Sequence, residues 1–276
     1  YLSIYRSLLL GLPGVRDHLL TLLGGDGKWI RISGMHGYKR GVQRGAFRLY
    51  DEGNGTVHLE LRGDGCCQLA AEKRLITEQD WQDWFSKLTE CGGRATRIDV
   101  AIDDRRDLVK IETIVRKVLA GHLTTTFRTR ETYTVLSRNS GRQQTSGVRF
   151  GGRHSDRKLL IYDKAFESGT DGKWLRIEYQ ARDATARALL LEFNQSGFDA
   201  VTRDIRSRLT FRVPPRTCDT DDKKSWAACR WWNQMVGTRA REIKPSGPLR
   251  SNEISDEQLL PLRALLARAY EEGGLV

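Results

Sequence analysis

The segment Arg97-Ile98-Asp99-Val100-Ala101-Ile102-Asp103 alternates strictly, with Ile98, Val100 and Ile102 on one side and Arg97, Asp99, Ala101 and Asp103 on the other. Side chains of a strand point to opposite faces with a period of two, so this segment makes one greasy face and one charged face. The same alternation sets Val57, Leu59 and Leu61 against His58, Glu60 and Arg62. It also sets Leu175, Ile177 and Tyr179 against Trp174, Arg176, Glu178 and Gln180. Parallel sheets are covered on both faces and read as unbroken apolar runs, whereas antiparallel sheets can leave one face open; these strands read as the second kind.

Segments of helical period supply the cover for the greasy face. Thr77 opens one in which Trp81, Trp84, Phe85 and Leu88 share a side, with Asp80 at the capping-box position and Gly92 past the end. Asp107 opens a second, with Ile111, Ile114, Val115, Val118 and Leu119 on one side and Gly121 as its stop, and Asp183 caps a third running to about Phe193. The order of elements around Leu49-Tyr50-Asp51 and His58-Leu59-Glu60-Leu61 is echoed around Ile161-Tyr162-Asp163 and Arg176-Ile177-Glu178-Tyr179. The expected fold is therefore α+β: two pseudo-repeated lobes, about 1–121 and 122–213, forming one saddle-like antiparallel sheet with helices on one face. A strand at 208–213 closes the second lobe and Pro214-Pro215 ends it. Residues 214–276 read as a helical C-terminal extension: a helix with Trp226, Trp231 and Trp232, a linker at 245–252, and a last helix from about Ser255.

Charge bounds what such a sheet would hold. The 276 residues carry 46 Lys and Arg against 35 Asp and Glu, a net charge of +11. That balance points to a polyanionic partner, most economically nucleic acid, with a merely soluble basic surface as the bland alternative. The five cysteines (Cys66, Cys67, Cys91, Cys218 and Cys229) are odd in number and contain no Cys-x-x-Cys pair. Neither a disulfide framework nor a zinc site is expected, and a reducing, cytoplasmic setting fits. No apolar run approaches the roughly 20 residues of a membrane span. No Walker A, strand–helix Gly-x-Gly-x-x-Gly or Gly-x-Ser-x-Gly motif occurs, and no two histidines lie close enough for a histidine–hydrophobe–histidine metal motif.

The remaining chemistry lies on the polar faces. A phosphodiester yields to a nucleophile when cations or a metal neutralise it and hold it in line. Tyrosine, with an ordinary pKa of about 10, needs positive charge nearby to serve as that nucleophile. Leu160, Tyr162 and Lys164 share one side of a strand, and Arg153 lies just upstream in Gly151-Gly152-Arg153-His154-Ser155. Asp99, Asp103 and Glu178 on neighbouring strands are hard-oxygen donors suited to Mg²⁺ or Mn²⁺. His58 beside Glu60 could add a ligand, although a neutral, hydrogen-bonded sheet histidine is the safer reading. Asp104 reads as solvated, and Tyr179 faces the core. A lone strand tyrosine is more often packing than chemistry, so the weight rests on the constellation. Lys39, Arg40, Arg97, Arg128, Arg130, Ser155 and Arg176 are candidate DNA contacts.

At these residues the chain resembles the replication initiation factor family: initiators of rolling-circle plasmids, related phage replication proteins, and relaxases of conjugative elements. Four segments match in order: Val57 to Cys66, Thr96 to Asp104, Phe150 to Ser155 continuing through Tyr162-Asp163-Lys164, and Trp174-Leu175-Arg176-Ile177-Glu178. The resemblance covers about residues 28–213. It implies that Tyr162 attacks one strand of an origin, stays joined to the 5′ phosphate, and leaves a 3′-OH that primes synthesis before the strand is rejoined. It further implies a divalent metal held by Asp99 and Glu178, with Asp103, Glu60 and His58 as further candidates. Double- and single-stranded origin DNA, a host helicase and a second copy of the chain are the implied partners, and the implied fold is similar to the TATA-binding-protein saddle. Phe150 stands where the family often has Tyr, which leaves Tyr162 as the strong nucleophile in that segment; Gly152 and Arg62 replace common serines. The alternative is a non-catalytic, sequence-specific DNA-binding regulator on the same fold. That reading leaves the carboxylates of the polar face unexplained, since they repel DNA unless a metal reverses the local sign. An RNA-binding protein ranks behind both, because no RNP-type aromatic pair is evident.

Overall fold

The computed structural model of the chain describes residues 2–5, 8–10, 23, 27–51, 57–90, 93–136, 144–215 and 222–244. Strands β1 (Leu2–Tyr5), β2 (Leu8–Leu10), β3 (Ile30–Ser33), β4 (Arg40–Arg44), β5 (Phe47–Asp51) and β6 (Val57–Leu61) precede helices α1 (Gly63–Lys73) and α2 (Glu78–Glu90). Next come β7 (Arg94–Ala95), β8 (Arg97–Asp104), α3 (Ile111–Leu119), β9 (Leu123–Thr125), β10 (Arg130–Leu136), β11 (Gln144–Phe150), β12 (Arg157–Asp163) and α4 (Lys164–Ser168). The chain continues through β13 (Leu175–Arg182), α5 (Asp183–Ser196), α6 (Phe198–Arg208), β14 (Leu209–Phe211) and α7 (Arg230–Val236). No helix among the described residues is long and apolar enough to cross a membrane.

These strands make two six-stranded sheets, ordered β1-β8-β13-β12-β11-β10 and β3-β4-β5-β6-β2-β7, and a two-stranded sheet of β14 and β9. The single continuous sheet expected from the repeat is thus replaced by separate sheets. The chain also divides into two compact units, each made of separate segments: Asp99–Ala181 and Phe198–Ile243 belong to the first, and Ile4–Ile98 and Arg182–Gly197 to the second. The grouping has a packing cause in the second unit, where α5 lies against α2. Phe193 meets Phe85 edge-on with ring centroids 5.7 Å apart, Gln82 Nε2 donates to Phe193 O at 3.0 Å, and Asn194 Nδ2 donates to Thr89 Oγ1 at 3.2 Å.

In the first unit Leu159, Ile161, Ile177 and Tyr179 are wholly buried on one side of β12 and β13, as their alternation requires. The core beneath holds one ionic centre. Asp204 has no exposed surface; it accepts from Arg157 Nε at 3.0 Å, from Ile243 N at 2.9 Å and from the Tyr179 hydroxyl. A carboxylate tolerates such burial when a counter-charge and donors on both oxygens compensate its lost hydration, as these three do.

The helix starts are mixed. Thr77 and Asp80 form the expected reciprocal box, with Thr77 N donating to Asp80 Oδ2 at 2.6 Å and Asp80 N donating to Thr77 Oγ1 at 3.2 Å. Asp107, by contrast, sits at φ 59° and cannot open α3; the residue before the helix is Lys110. Leu119, expected on the buried side, is exposed in the last turn. Asp183 is the first residue of α5 rather than its cap, which is Arg182. The strand expected at 208–213 shrinks to β14, because α6 runs on to Arg208 and Arg212 makes only an isolated bridge to Ala228. Trp226 precedes α7 in a turn, whereas Trp231 and Trp232 lie within it. Gly92, Cys91, Cys218, the 245–252 linker and the helix from Ser255 lie outside the described residues.

Candidate active site on a polar sheet face

The register of β10 to β13 builds the site. Tyr133 opposes Gly147, Gly147 opposes Tyr162, and Tyr162 opposes Arg176; in a parallel row Glu131 opposes Arg149, Arg149 opposes Leu160, and Leu160 opposes Glu178. Residues directly opposite in antiparallel strands project from the same face, so both rows rise from the polar face of this sheet. Tyr162 leans diagonally onto Glu178, its hydroxyl donating to Oε2 at 3.2 Å. Half-burial pushes the Tyr162 phenol well above its ordinary pKa, the Glu178 charge pushes it further, and Arg176 only partly opposes them. The resting tyrosine is therefore protonated, with a carboxylate placed to take the proton.

Of the cations expected at this site, Arg176 and Lys164 are held by carboxylates and Arg153 stands off in a loop. Arg176 is 7% exposed and grips Asp103 with both arms of its guanidinium, Nε to Oδ1 at 2.7 Å and Nη2 to Oδ2 at 2.9 Å. Its guanidinium carbon also sits 5.2 Å from the centroid of the Trp174 ring. Arg176 is thus a buried, bidentate partner and not an open DNA contact, and Asp103 has both oxygens committed. Lys164 does not extend the side of the strand that carries Tyr162. The strand ends at Asp163, whose Oδ1 accepts from Phe166 N at 3.0 Å, and Lys164 begins α4 with Glu167 as its ion-pair partner. Arg153 is exposed in the loop beyond the last hairpin pair, Phe150 with Leu159, three positions along the strand from Tyr162. That loop has its own geometry: Gly151 has φ +90°, where a Cβ would fall 2.5 Å from Arg157 O, and Ser155 Oγ accepts from Gly152 N at 2.9 Å. Ser155 serves the turn.

The carboxylates do not converge as a metal site. Asp99 is 3% exposed and accepts from Gln180 Nε2 at 3.3 Å, while Asp103 is held by Arg176. Glu60 and His58 belong to the other unit. All five residues of β6 are buried, so the open polar face expected there is covered. Glu60 accepts from Arg62 Nε at 2.9 Å and from the Tyr50 hydroxyl at 3.2 Å; burial alone would raise its pKa, but these bonds and the Arg62 charge outweigh that and hold it low. His58 lies among His36, Tyr38 and Tyr50, with ring centroids 4.9, 5.8 and 6.0 Å away. Burial first, and then His36, lowers its pKa to about 4, so it is a neutral core imidazole. Among the described residues no group of three or more His, Cys, Asp or Glu could hold a metal ion. The expected set of Asp99, Asp103, Glu178, Glu60 and His58 does not fit a divalent cation as arranged. Asp104, expected to be solvated, is 2% exposed; it accepts from Arg106 N at 3.0 Å and Leu108 N at 2.8 Å, pinning the loop after β8.

Of the other candidate DNA contacts, Lys39, Arg128 and Arg130 are exposed, and Arg40 and Arg97 are half-buried. Arg149 escaped the sequence reading, and Tyr133 entered it only as one of three tyrosines, with Tyr50 and Tyr179, whose part in strand joining the sequence left open. Arg149 is exposed on the polar face, paired with the equally open Glu131 at 3.3 Å. Tyr133 is half-buried, with its pKa raised by burial, lowered by Arg149 and raised again by Glu178. Only the register places them beside Tyr162.

The model of the replication initiation factor family matches residues 93–248. NicK of Bacillus subtilis (strain 168), named as a DNA relaxase, is 23% identical over 227 residues, 76% of this chain and 62% of its own length. The chain thus spans about three fifths of that relative. The structure of a rolling circle replication initiator protein from Geobacillus stearothermophilus aligns with a TM-score of 0.73 at 22% identity, covering 88% of this chain and 100% of the other; the two share a fold. The family match takes in β8, the Tyr162 strand and the Glu178 strand, and covers more than half of the sequence: the chain belongs to the replication initiation factor family.

Proposed function

We propose that this chain nicks and rejoins one DNA strand, as a rolling-circle replication initiator or relaxase does, with Tyr162 as nucleophile and Glu178 as the base that receives its proton. The observation that carries the reading is the 3.2 Å hydrogen bond from the Tyr162 hydroxyl to Glu178 on a half-buried polar face, in a chain of this family. Tyr162 Oη bonds to phosphorus as the bond from phosphorus to the 3′ oxygen breaks. Glu178 takes the phenol proton and hands it on to the departing 3′ oxygen, so one phosphodiester replaces another and the reverse step rejoins the strand. The Arg176–Asp103 pair holds the floor beside Tyr162. The family resemblance implies a divalent metal, so the assay includes Mn²⁺; the described residues supply no ligand set for it, and every step above uses the chain's own groups. Origin DNA is the substrate, the two-lobed architecture, a helicase and a second copy of the chain belong to the same proposal, and the excess of 46 cations over 35 anions supports the DNA partner.

The test incubates the protein with a supercoiled plasmid carrying its native origin and Mn²⁺, then looks for relaxed DNA and a denaturation-resistant adduct mapped by peptide sequencing. Tyr162→Phe is expected to bind the plasmid and form no adduct. An adduct retained in that variant overturns the assignment, and binding without any nick by the unaltered chain gives the non-catalytic DNA-binding reading.

A further inference from the structure

Tyr133 and Tyr162 stand in one cross-strand row with Gly147 between them. Strands lie about 4.8 Å apart, so the two tyrosine backbones are separated by roughly 10 Å. Tyr133 itself spans the first half of that gap. A Cβ on Gly147 would fall 2.3 Å from Tyr133 Cζ and 2.4 Å from its hydroxyl oxygen, so the tip of the phenol lies directly over the glycine, one strand from Tyr162. The Tyr133 hydroxyl hydrogen-bonds to none of the described residues. At neutral pH a phenol keeps its proton and can donate. Beside it on the same face, the Arg149 guanidinium carbon lies 5.7 Å from the centroid of the Tyr133 ring, and Arg149 opposes Leu160, two residues before Tyr162. Its partner Glu131 is an exposed carboxylate, and an exposed ion pair is worth little enough to be exchanged for a phosphate.

We propose that Tyr133 and Arg149, arranged around Gly147, form the phosphate-binding pair that holds the scissile phosphodiester against Tyr162. Tyr133 donates to a non-bridging oxygen and Arg149 supplies the cation that the sequence reading placed on Arg153 and Lys164. Gly147 keeps the position empty so that the phenol can lie there. The proposal rests on Tyr162 acting as nucleophile. It does not make Tyr133 a second nucleophile.

The experiment measures adduct formation under single-turnover conditions for Tyr133→Phe, Arg149→Ala and Gly147→Ala beside the unaltered protein. A hydrogen bond to a charged group is worth about 1.5–3 kcal/mol, so Tyr133→Phe is expected to slow adduct formation by about 10- to 100-fold. Gly147→Ala is expected to slow it similarly with the hydroxyl still present, because the new methyl displaces only the far end of the Tyr133 ring. In a Tyr162→Phe background, affinity for a single-stranded oligonucleotide spanning the mapped nick is compared with that for the same strand bearing an uncharged methylphosphonate at the scissile linkage. The protein with Arg149 should prefer the charged linkage, and Arg149→Ala should lose that preference, a readout that a purely structural role leaves unmoved. If the unaltered protein forms no adduct, the parent reading fails. If it does and the Tyr133 and Arg149 variants match its rate, only this inference fails; an adduct on Tyr133 in the Tyr162→Phe protein also overturns it.

Discussion

Glu178 does two opposed things to Tyr162: its negative charge raises the phenol pKa in the resting chain, and its lone pair is the place for the proton to go. Glu178→Gln should therefore slow adduct formation by about 10²- to 10⁴-fold, the usual worth of a positioned base. It should also let Tyr162 titrate at lower pH, seen as an earlier rise in phenolate absorbance relative to the unaltered protein. His58 offers a second check, on stability. An unfolded histidine takes a proton near pH 6.5, whereas folded His58 waits until about 4. Its contribution is complete above pH 6.5 and is lost as the pH falls towards 4, by about 3 kcal/mol in all. Urea unfolding across that range should show the slope, and His58→Gln should flatten it. Tyr162, Glu178 and the core position of Tyr179 were legible from alternation. The bidentate grip of Arg176 on Asp103 was not, because alternation gives the face of a side chain and says nothing of its neighbour on the next strand.

At the scale of elements, the strands read well because their period is two and their polar faces are richly charged. Helix α2 also read well, since its Thr77–Asp80 box is a local device whose donor and acceptor lie three residues apart. The start of α3 was misjudged for the converse reason. Asp107 looks like a cap, but the carboxylate of Asp104 already organises the loop through Arg106 N and Leu108 N, and that arrangement delays the helix. The element that most depends on a distant partner is α6, whose Asp204 is the buried acceptor for Arg157 on β12. Asp204→Ala leaves a buried guanidinium without its counter-charge and should cost about 3–5 kcal/mol by denaturant unfolding. Replacing the pair together, as Asp204→Leu with Arg157→Met, should cost less than that single change.

For the molecule as a whole, a net charge of +11 makes association with DNA a counterion-release process. The affinity for a single-stranded origin oligonucleotide should fall linearly on a log–log plot against salt, and Arg149→Ala should reduce the slope by about 0.7, the share of one neutralised phosphate on a single strand. An unchanged slope would mean that Arg149 meets no phosphate. The sequence by itself determined the class of this protein: alternating half-buried strands, helices to cover them, a basic surface, and a tyrosine and a carboxylate on polar faces, all set by local period and composition. Only the tertiary structure decided which of those groups meet. Strand order places β8 beside β13, so Asp103 and Asp99 are matched to Arg176 and Gln180 instead of converging on a cation. Register places Gly147 between Tyr133 and Tyr162, so an absent side chain becomes part of the site. Partner and register, whether between consecutive strands or between β8 and the distant β13, are chosen by the packing of the whole sheet, and the alternation within one strand does not record them.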